Sequence, residues 1–305
     1  MVDIKEIKSI EIVPYTLITS SVSAVWAFIY AIFTVILGLI PFAISPTVAN
    51  SAVLWFYIAS IVSSPVSSFV IGVLQSFLFA LFYNLLVPKI GGIKLGLEDL
   101  SEIKSVPVVP FALITSTISA IFVLIITLII MPLVAAYIPS VVQALSSLPL
   151  NTTLNTTIPV SDLSALQTFG IAGSVISIII LPIVTFIVVF IIDAILAALY
   201  NLLAPRVGGI KLDFAAGAEN MYEILSVAPV QLALITAVIV AVIAIIVGII
   251  ATIISAIYGS AIFGVGLLVG LTVGGFIGSF IVYAILALIY NFLRPKIGGI
   301  KLELQ

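Results

Sequence analysis

Tyr83-Asn84-Leu85-Leu86-Val87-Pro88-Lys89-Ile90-Gly91-Gly92-Ile93-Lys94-Leu95 is a run of 13 residues that the chain uses three times. It returns as Tyr200-Asn201 through Pro205, Arg206, Gly208, Gly209, Lys211 and Leu212. It returns again as Tyr290-Asn291 through Pro295, Lys296, Gly298, Gly299, Lys301 and Leu302. A second block opens each copy. Ile7-Lys-Ser-Ile-Glu-Ile-Val-Pro14-Tyr-Thr-Leu-Ile-Thr19 matches Ile103 to Thr115, and Ile224 to Thr236 is a looser third version. Apolar bias alone does not return Tyr-Asn, Pro-Lys/Arg and Gly-Gly in register, so the chain reads as a triplication.

Working outward from these blocks, each copy holds two apolar stretches. First helices are expected near 15–40, 111–138 and 231–258, and second helices are expected to end at Pro88, Pro205 and Pro295. Each stretch is long enough to span a bilayer core. Of 305 residues, 63% are hydrophobic and 7% charged, against roughly a quarter charged in soluble domains. The fold class is therefore an all-α polytopic membrane protein, with six transmembrane helices in three tandem two-helix repeats and short cytoplasmic β-strands joining them. The repeats occupy 1–100, 101–217 and 218–305, and the second has a long outer loop over 139–169. The charged stretch Met1–Val13 has none of the basic-then-apolar order of a cleavable signal, so the first apolar segment is expected to be retained.

All ten basic residues fall at the N-terminus, in the two inter-repeat linkers or at the C-terminus, and none within a hairpin. Short basic segments stay cytoplasmic, which places both termini inside a cell membrane crossed six times. The sequons at Asn151 and Asn155 then fall on the outer side, where glycosylation is possible, and Asp162 is expected to be solvated there.

The repeated residues have physical roles to fill. Proline removes a donor and collides with the carbonyl four residues earlier, and there stand Asn84, Asn201 and Asn291. Their amides are expected to offer the loosened helix replacement hydrogen bonds. Tyr belongs at headgroup level and Lys or Arg beyond it. Gly91-Gly92, Gly208-Gly209 and Gly298-Gly299 permit a turn. Ile-Lys-Leu alternates as a short strand does, and with the opening blocks suggests a small sheet. The motif reads first as a helix exit and structural staple, and second as a ligand or lipid-headgroup site.

Inside the spans, Pro65 and Pro182 each stand 19 residues before their Asn. The apolar residues before them, such as Ala52 to Val62, exceed one span and suggest a kinked, interfacial or re-entrant extension. Small residues recur at four-residue spacing: Ser60, Ser64, Ser68, Gly72 and Ser76 in the first copy, and Gly266, Gly270, Gly274 and Gly278 in the third. Such stripes favour close helix packing, within the chain or against another subunit. Eight residues before the three asparagines stand Ser76, Asp193 and Tyr283, a candidate polar site at one depth. An intramembrane carboxylate marks a functional site by default. The competing reading bonds Asp193 to Ser, Thr or Tyr on a neighbouring helix.

The tail of each copy resembles an uncharacterised family of two-helix transmembrane proteins, common in actinobacteria. Its pattern ends in Tyr-Asn, a short apolar stretch, Gly-Gly-Ile or Gly-Gly-Val and an alternating strand. The resemblance implies a fold unit and a topology and carries no chemistry. The Pro-Lys/Arg step and the fusion of three units depart from it.

With no cysteine and no histidine, disulfides, thiolate nucleophiles, imidazole bases and the usual zinc sites are excluded. No catalytic residue, metal or cofactor is expected. A net charge of −2 gives no nucleic-acid surface, and near-balanced cytoplasmic charges argue against a polybasic lipid patch. The expected function is a non-enzymatic membrane scaffold or accessory subunit, in contact with lipids and with other membrane subunits or itself as an oligomer. The alternative is an ion channel or transporter with a polar path near Ser76, Asp193 and Tyr283.

Overall fold

The computed structural model describes residues 2–44, 51–146, 160–218 and 220–305. Helix and strand alternate in a fixed order: β1 (Val2–Ile10), α1 (Ile12–Ile44), α2 (Ser51–Ile90), β2 (Lys94–Glu98), β3 (Glu102–Ser105), α3 (Val108–Ser146), α4 (Val160–Val207), β4 (Ile210–Ala216), β5 (Met221–Val227), α5 (Pro229–Ile257), α6 (Ala261–Ile297) and β6 (Lys301–Leu304). All six helices are long and apolar enough to cross a membrane, and the chain is a multi-pass membrane protein.

Hydropathy alone suggests a small sheet between helices; the strands instead close on themselves as a barrel in chain order, β1 through β6. Every pairing is antiparallel, from Lys5 against Leu95 to Tyr222 against Leu302, and β6 returns to β1 with Leu302 opposite Ile10. Closure leaves no unpaired edge. In so narrow a barrel side chains fill the interior, and Ile7, Leu97, Ile103, Leu212, Ile224 and Leu304 are buried.

The helices differ from the sequence expectation in three ways, each with a physical reason. α2, α4 and α6 run two residues past Pro88, Pro205 and Pro295. A proline disturbs only the carbonyl four residues behind it, and amides beyond it still bond: Gly91 N–H to the Val87 carbonyl at 2.9 Å, Gly208 N–H to Ala204 at 3.0 Å, Gly298 N–H to Arg294 at 2.9 Å. Second, α2 has 40 residues and α4 has 48, about 60 and 70 Å at ~1.5 Å per residue. The extensions before Pro65 and Pro182 are therefore continuous helix. Third, α3 reaches Ser146 and α4 begins at Val160. The loop expected over 139–169 is helical at both ends because Ile138 to Leu145 and Val160 to Phe169 hold enough apolar residues to continue. Asp162 thus belongs to α4, while Asn151 and Asn155 lie outside the described residues.

The chain divides into two compact units, Met1–Ile114 with Ile195–Gln305, and Thr115–Ala194. In the first, α1 packs on α2 and on α6, and α5 packs on α6. Small residues make the close approaches. A Cβ at Gly72 would stand 3.1 Å from the Ser20 backbone, one at Gly248 2.7 Å from that of Leu268, and one at Gly264 2.5 Å from that of Thr252. In the second unit α3 and α4 are antiparallel partners, with Thr115 beside Asp193 near one end and Ile138 beside Gly170 near the other.

The glycines expected to pack α6 do not do so. A Cβ at Gly266, Gly270, Gly274 or Gly278 would meet nothing within 4 Å among the described residues. The α5 contact instead uses Gly264 and Gly275, which lie on another face of the helix.

Candidate functional site

Where each second helix returns to the barrel, the chain builds one hydrogen-bonded cluster, and it does so three times. The Tyr83 hydroxyl donates to the Ile7 carbonyl at 2.7 Å and accepts the Ile93 N–H at 2.9 Å. Tyr200 does the same with Ile103 and Ile210, and Tyr290 with Ile224 and Ile300. Tyr83 is fully buried, so its hydroxyl satisfies two backbone groups that water cannot reach.

The asparagines do not repair their own helices. Asn84 Nδ2 donates to the Ile10 carbonyl and Oδ1 accepts the Ile10 N–H, both at 2.8 Å. Asn201 clasps Val106 in this way at 2.7 and 2.8 Å, and Asn291 clasps Val227 at 2.9 and 2.8 Å. A primary amide presents donor and acceptor side by side, as a peptide group does. Each one therefore acts as a further strand partner where a strand gives way to a first helix.

The two glycines of each pair serve different ends. Gly91, Gly208 and Gly298 hold φ of +83°, +97° and +86°, a region that side chains disfavour. Gly92, Gly209 and Gly299 are pressed against the carbonyls of Ile7, Ile103 and Ile224, so that any Cβ would collide with backbone. Their N–H groups donate to Glu6 Oε1 at 2.8 Å, Glu102 Oε1 at 2.7 Å and Glu223 Oε1 at 3.0 Å.

These glutamates are the cluster members that the sequence blocks miss. The signal was one residue away, because Glu precedes Ile7, Ile103 and Ile224 in all three copies. The Gly92 N–H holds the Glu6 carboxyl below the usual carboxylate range; burial opposes this and Lys8 assists it. For Glu102 burial pushes upward, and the Gly209 N–H with Lys104 outweighs it, leaving the carboxyl low as well. Lys8 stands 3.1 Å from Glu6, and Lys104 2.9 Å from Glu102. In the third cluster Leu225 takes the lysine's place, and Arg294 supplies the cation at 3.0 Å from Glu223.

The polar residues one level deeper are arranged differently. Thr19 donates to Ser76 at 2.7 Å, joining α1 to α2. Thr115 donates to Asp193 Oδ2 at 2.6 Å, joining α3 to α4. Thr236, the corresponding residue of α5, turns its hydroxyl to the Leu232 carbonyl. Tyr283 borders a largely apolar cavity of about 310 Å³, which Thr236, Tyr200, Ile103 and Val240 also line. Ser76 and Asp193 are thus each held within their own hairpin, and Tyr283 faces a void. Among the described residues no group of three or more Asp or Glu is placed to hold a metal ion.

Comparison of the chain with protein-family models, with curated proteins and with solved structures finds no match.

Proposed function

We propose that the protein is a non-enzymatic scaffold or accessory subunit of a larger assembly in the cell membrane. In this reading it is built from three tandem two-helix repeats, each corresponding to one unit of the two-helix family that its motif resembles. The observation that carries the reading is the open face of α6, where Gly266, Gly270, Gly274 and Gly278 recur every four residues with free space over each. Without a hydrophobic force between helices in lipid, small-residue faces are what let two backbones approach. A face of four glycines that α1 and α5 leave open suits a helix of another subunit or of a second copy. The Tyr, Asn and Glu side chains of the three clusters support the same reading, since backbone groups of the chain already occupy them.

The barrel and the helix ends beside it carry all ten basic residues, which favours a cytoplasmic barrel with both chain ends inside. Asn151 and Asn155 would then face the outer side. Extraction in a mild detergent, followed by size analysis and mass spectrometry of what co-purifies, tests the proposal. We expect a stable oligomer or a constant partner, weakened by Gly270→Leu. A lone monomer with no companion in several mild detergents would overturn it.

One observation favours a second reading, a channel or transporter. Each second helix carries a polar residue at the same level (Ser76, Asp193, Tyr283), and Tyr283 borders a cavity. Ion flux through liposomes containing the pure protein separates this reading from the first.

A further inference from the structure

Five of the ten basic residues are held in ion pairs: Lys5 with Asp3, Lys8 with Glu6, Lys104 with Glu98 and Glu102, Arg294 with Glu223, and Lys301 with Glu11. Lys94 and Lys211 act on Glu6 and Glu102 through charge. The three that remain are Lys89, Arg206 and Lys296. They occupy the same position in each copy, directly after the helix-exit proline. All three are exposed, and none forms an ion pair among the described residues.

One helical turn earlier stand Leu85, Leu202 and Phe292, which are 57%, 54% and 61% exposed. Residues four apart share a helix face, and side chains lean toward the helix N-terminus. Each cation therefore shares a helix face with an exposed apolar side chain on its span side. The third copy displays this lean directly, with Lys296 Nζ 3.5 Å from the Phe292 ring centroid. An exposed apolar side chain below and an unpaired cation above is the order in which a phospholipid presents its acyl chain and its phosphate.

We propose that these three helix exits are equivalent sites for anionic phospholipid, with Lys89, Arg206 and Lys296 each receiving a headgroup phosphate. Leu85, Leu202 and Phe292 lie against the upper acyl chain. The balanced charge of the barrel segments hides this preference in the sequence, because Asp3, Glu6, Glu11, Glu98, Glu102 and Glu223 pair with the other cations. The proposal rests on the membrane assignment and stands whether or not the scaffold reading does. A cation near the surface of an anionic membrane favours binding by about fivefold.

The test is native mass spectrometry of the full chain in detergent, with phosphatidylglycerol and phosphatidylcholine of matched chains added in equal amounts. We expect up to three phosphatidylglycerols retained in preference to phosphatidylcholine, about fivefold per site. Lys89→Gln, Arg206→Gln and Lys296→Gln should each remove one, and the triple variant should lose the preference. Lys94→Gln with Lys211→Gln serves as the control and should keep all three. Should the triple variant fail to fold, the wild type still decides the matter, since added salt must erode its preference. Equal retention of the two lipids by the wild type, a preference unmoved by salt, or an unchanged phosphatidylglycerol count in the triple variant would each overturn the proposal.

Discussion

Arg294 Nε lies 3.0 Å from Glu223 Oε1, in a cluster whose two counterparts use a lysine two residues along the glutamate's own strand instead. Val87 and Ala204 fill the position of Arg294 in those clusters, and Leu225 fills that of Lys8 and Lys104. The cation has moved from strand to helix while the carboxylate it faces has stayed.

Arg294→Val should therefore destabilise the protein by about 1 kcal/mol, the scale of a part-exposed ion pair. Adding Leu225→Lys to that variant should restore most of the loss. Thermal unfolding in detergent checks both. A double variant no more stable than Arg294→Val would show that the two routes are not interchangeable.

Gly92→Ala should be far more damaging than Gly91→Ala. The Gly91 site has free space and costs only the strain of a positive φ, about 1–2 kcal/mol. At Gly92 the new methyl meets the Ile7 carbonyl and must displace β1. Tyr83→Phe should fall between them, leaving two buried backbone groups short of a partner at about 1–3 kcal/mol each. Folded yield and melting temperature should rank Gly91→Ala above Tyr83→Phe above Gly92→Ala.

Acid should loosen the barrel. A carboxylate whose pKa is lower in the folded state than in the unfolded state leaves the unfolded chain holding more protons, so stability rises with pH across that window. For Glu6 and Glu102 the stabilisation is complete above the ordinary glutamate range and is lost as pH falls from there through the lower folded-state values. The melting temperature should hold from neutrality to about pH 5 and decline below. Glu6→Gln with Glu102→Gln should flatten that decline, and parallel profiles would exclude the two carboxylates as its source.

Asp193→Asn keeps an oxygen able to accept from Thr115 and should alter stability by less than about 0.5 kcal/mol. Asp193→Leu removes the acceptor and should cost about 1–2 kcal/mol. Under the scaffold reading neither substitution changes ion permeability of proteoliposomes. A flux in the wild type that Asp193→Asn alters would favour the channel reading.

Features that depend on local chemistry were the ones legible in the sequence. Six spans follow from hydropathy, and the level of Ser76 and Asp193 follows from counting along a helix. Partners were not legible. Asn84 shows its donor and acceptor in the sequence, but that they meet Ile10, 74 residues away, depends on the barrel. The α6 glycines show a face by their spacing, yet spacing cannot say whether a face is covered. The prolines misled because their missing N–H acts backward along the helix, while helix length depends on the amides ahead. Closure of the barrel joins residues as distant as Ser9 and Glu303, beyond the reach of any local pattern.

Glu6 and Gln305 exchange backbone hydrogen bonds at 2.7 and 3.0 Å, so β1 and β6 are as intimate as any two strands joined by a hairpin. A circular permutant, with β6 tied to β1 by a few flexible residues and the backbone opened between Asp99 and Leu100, should reach the same fold. Both of those residues hold positive φ in their turn, so the cut relieves strain rather than adding it. Because the ring of strands has no obligatory first member, any one helical hairpin could lead the other two in synthesis.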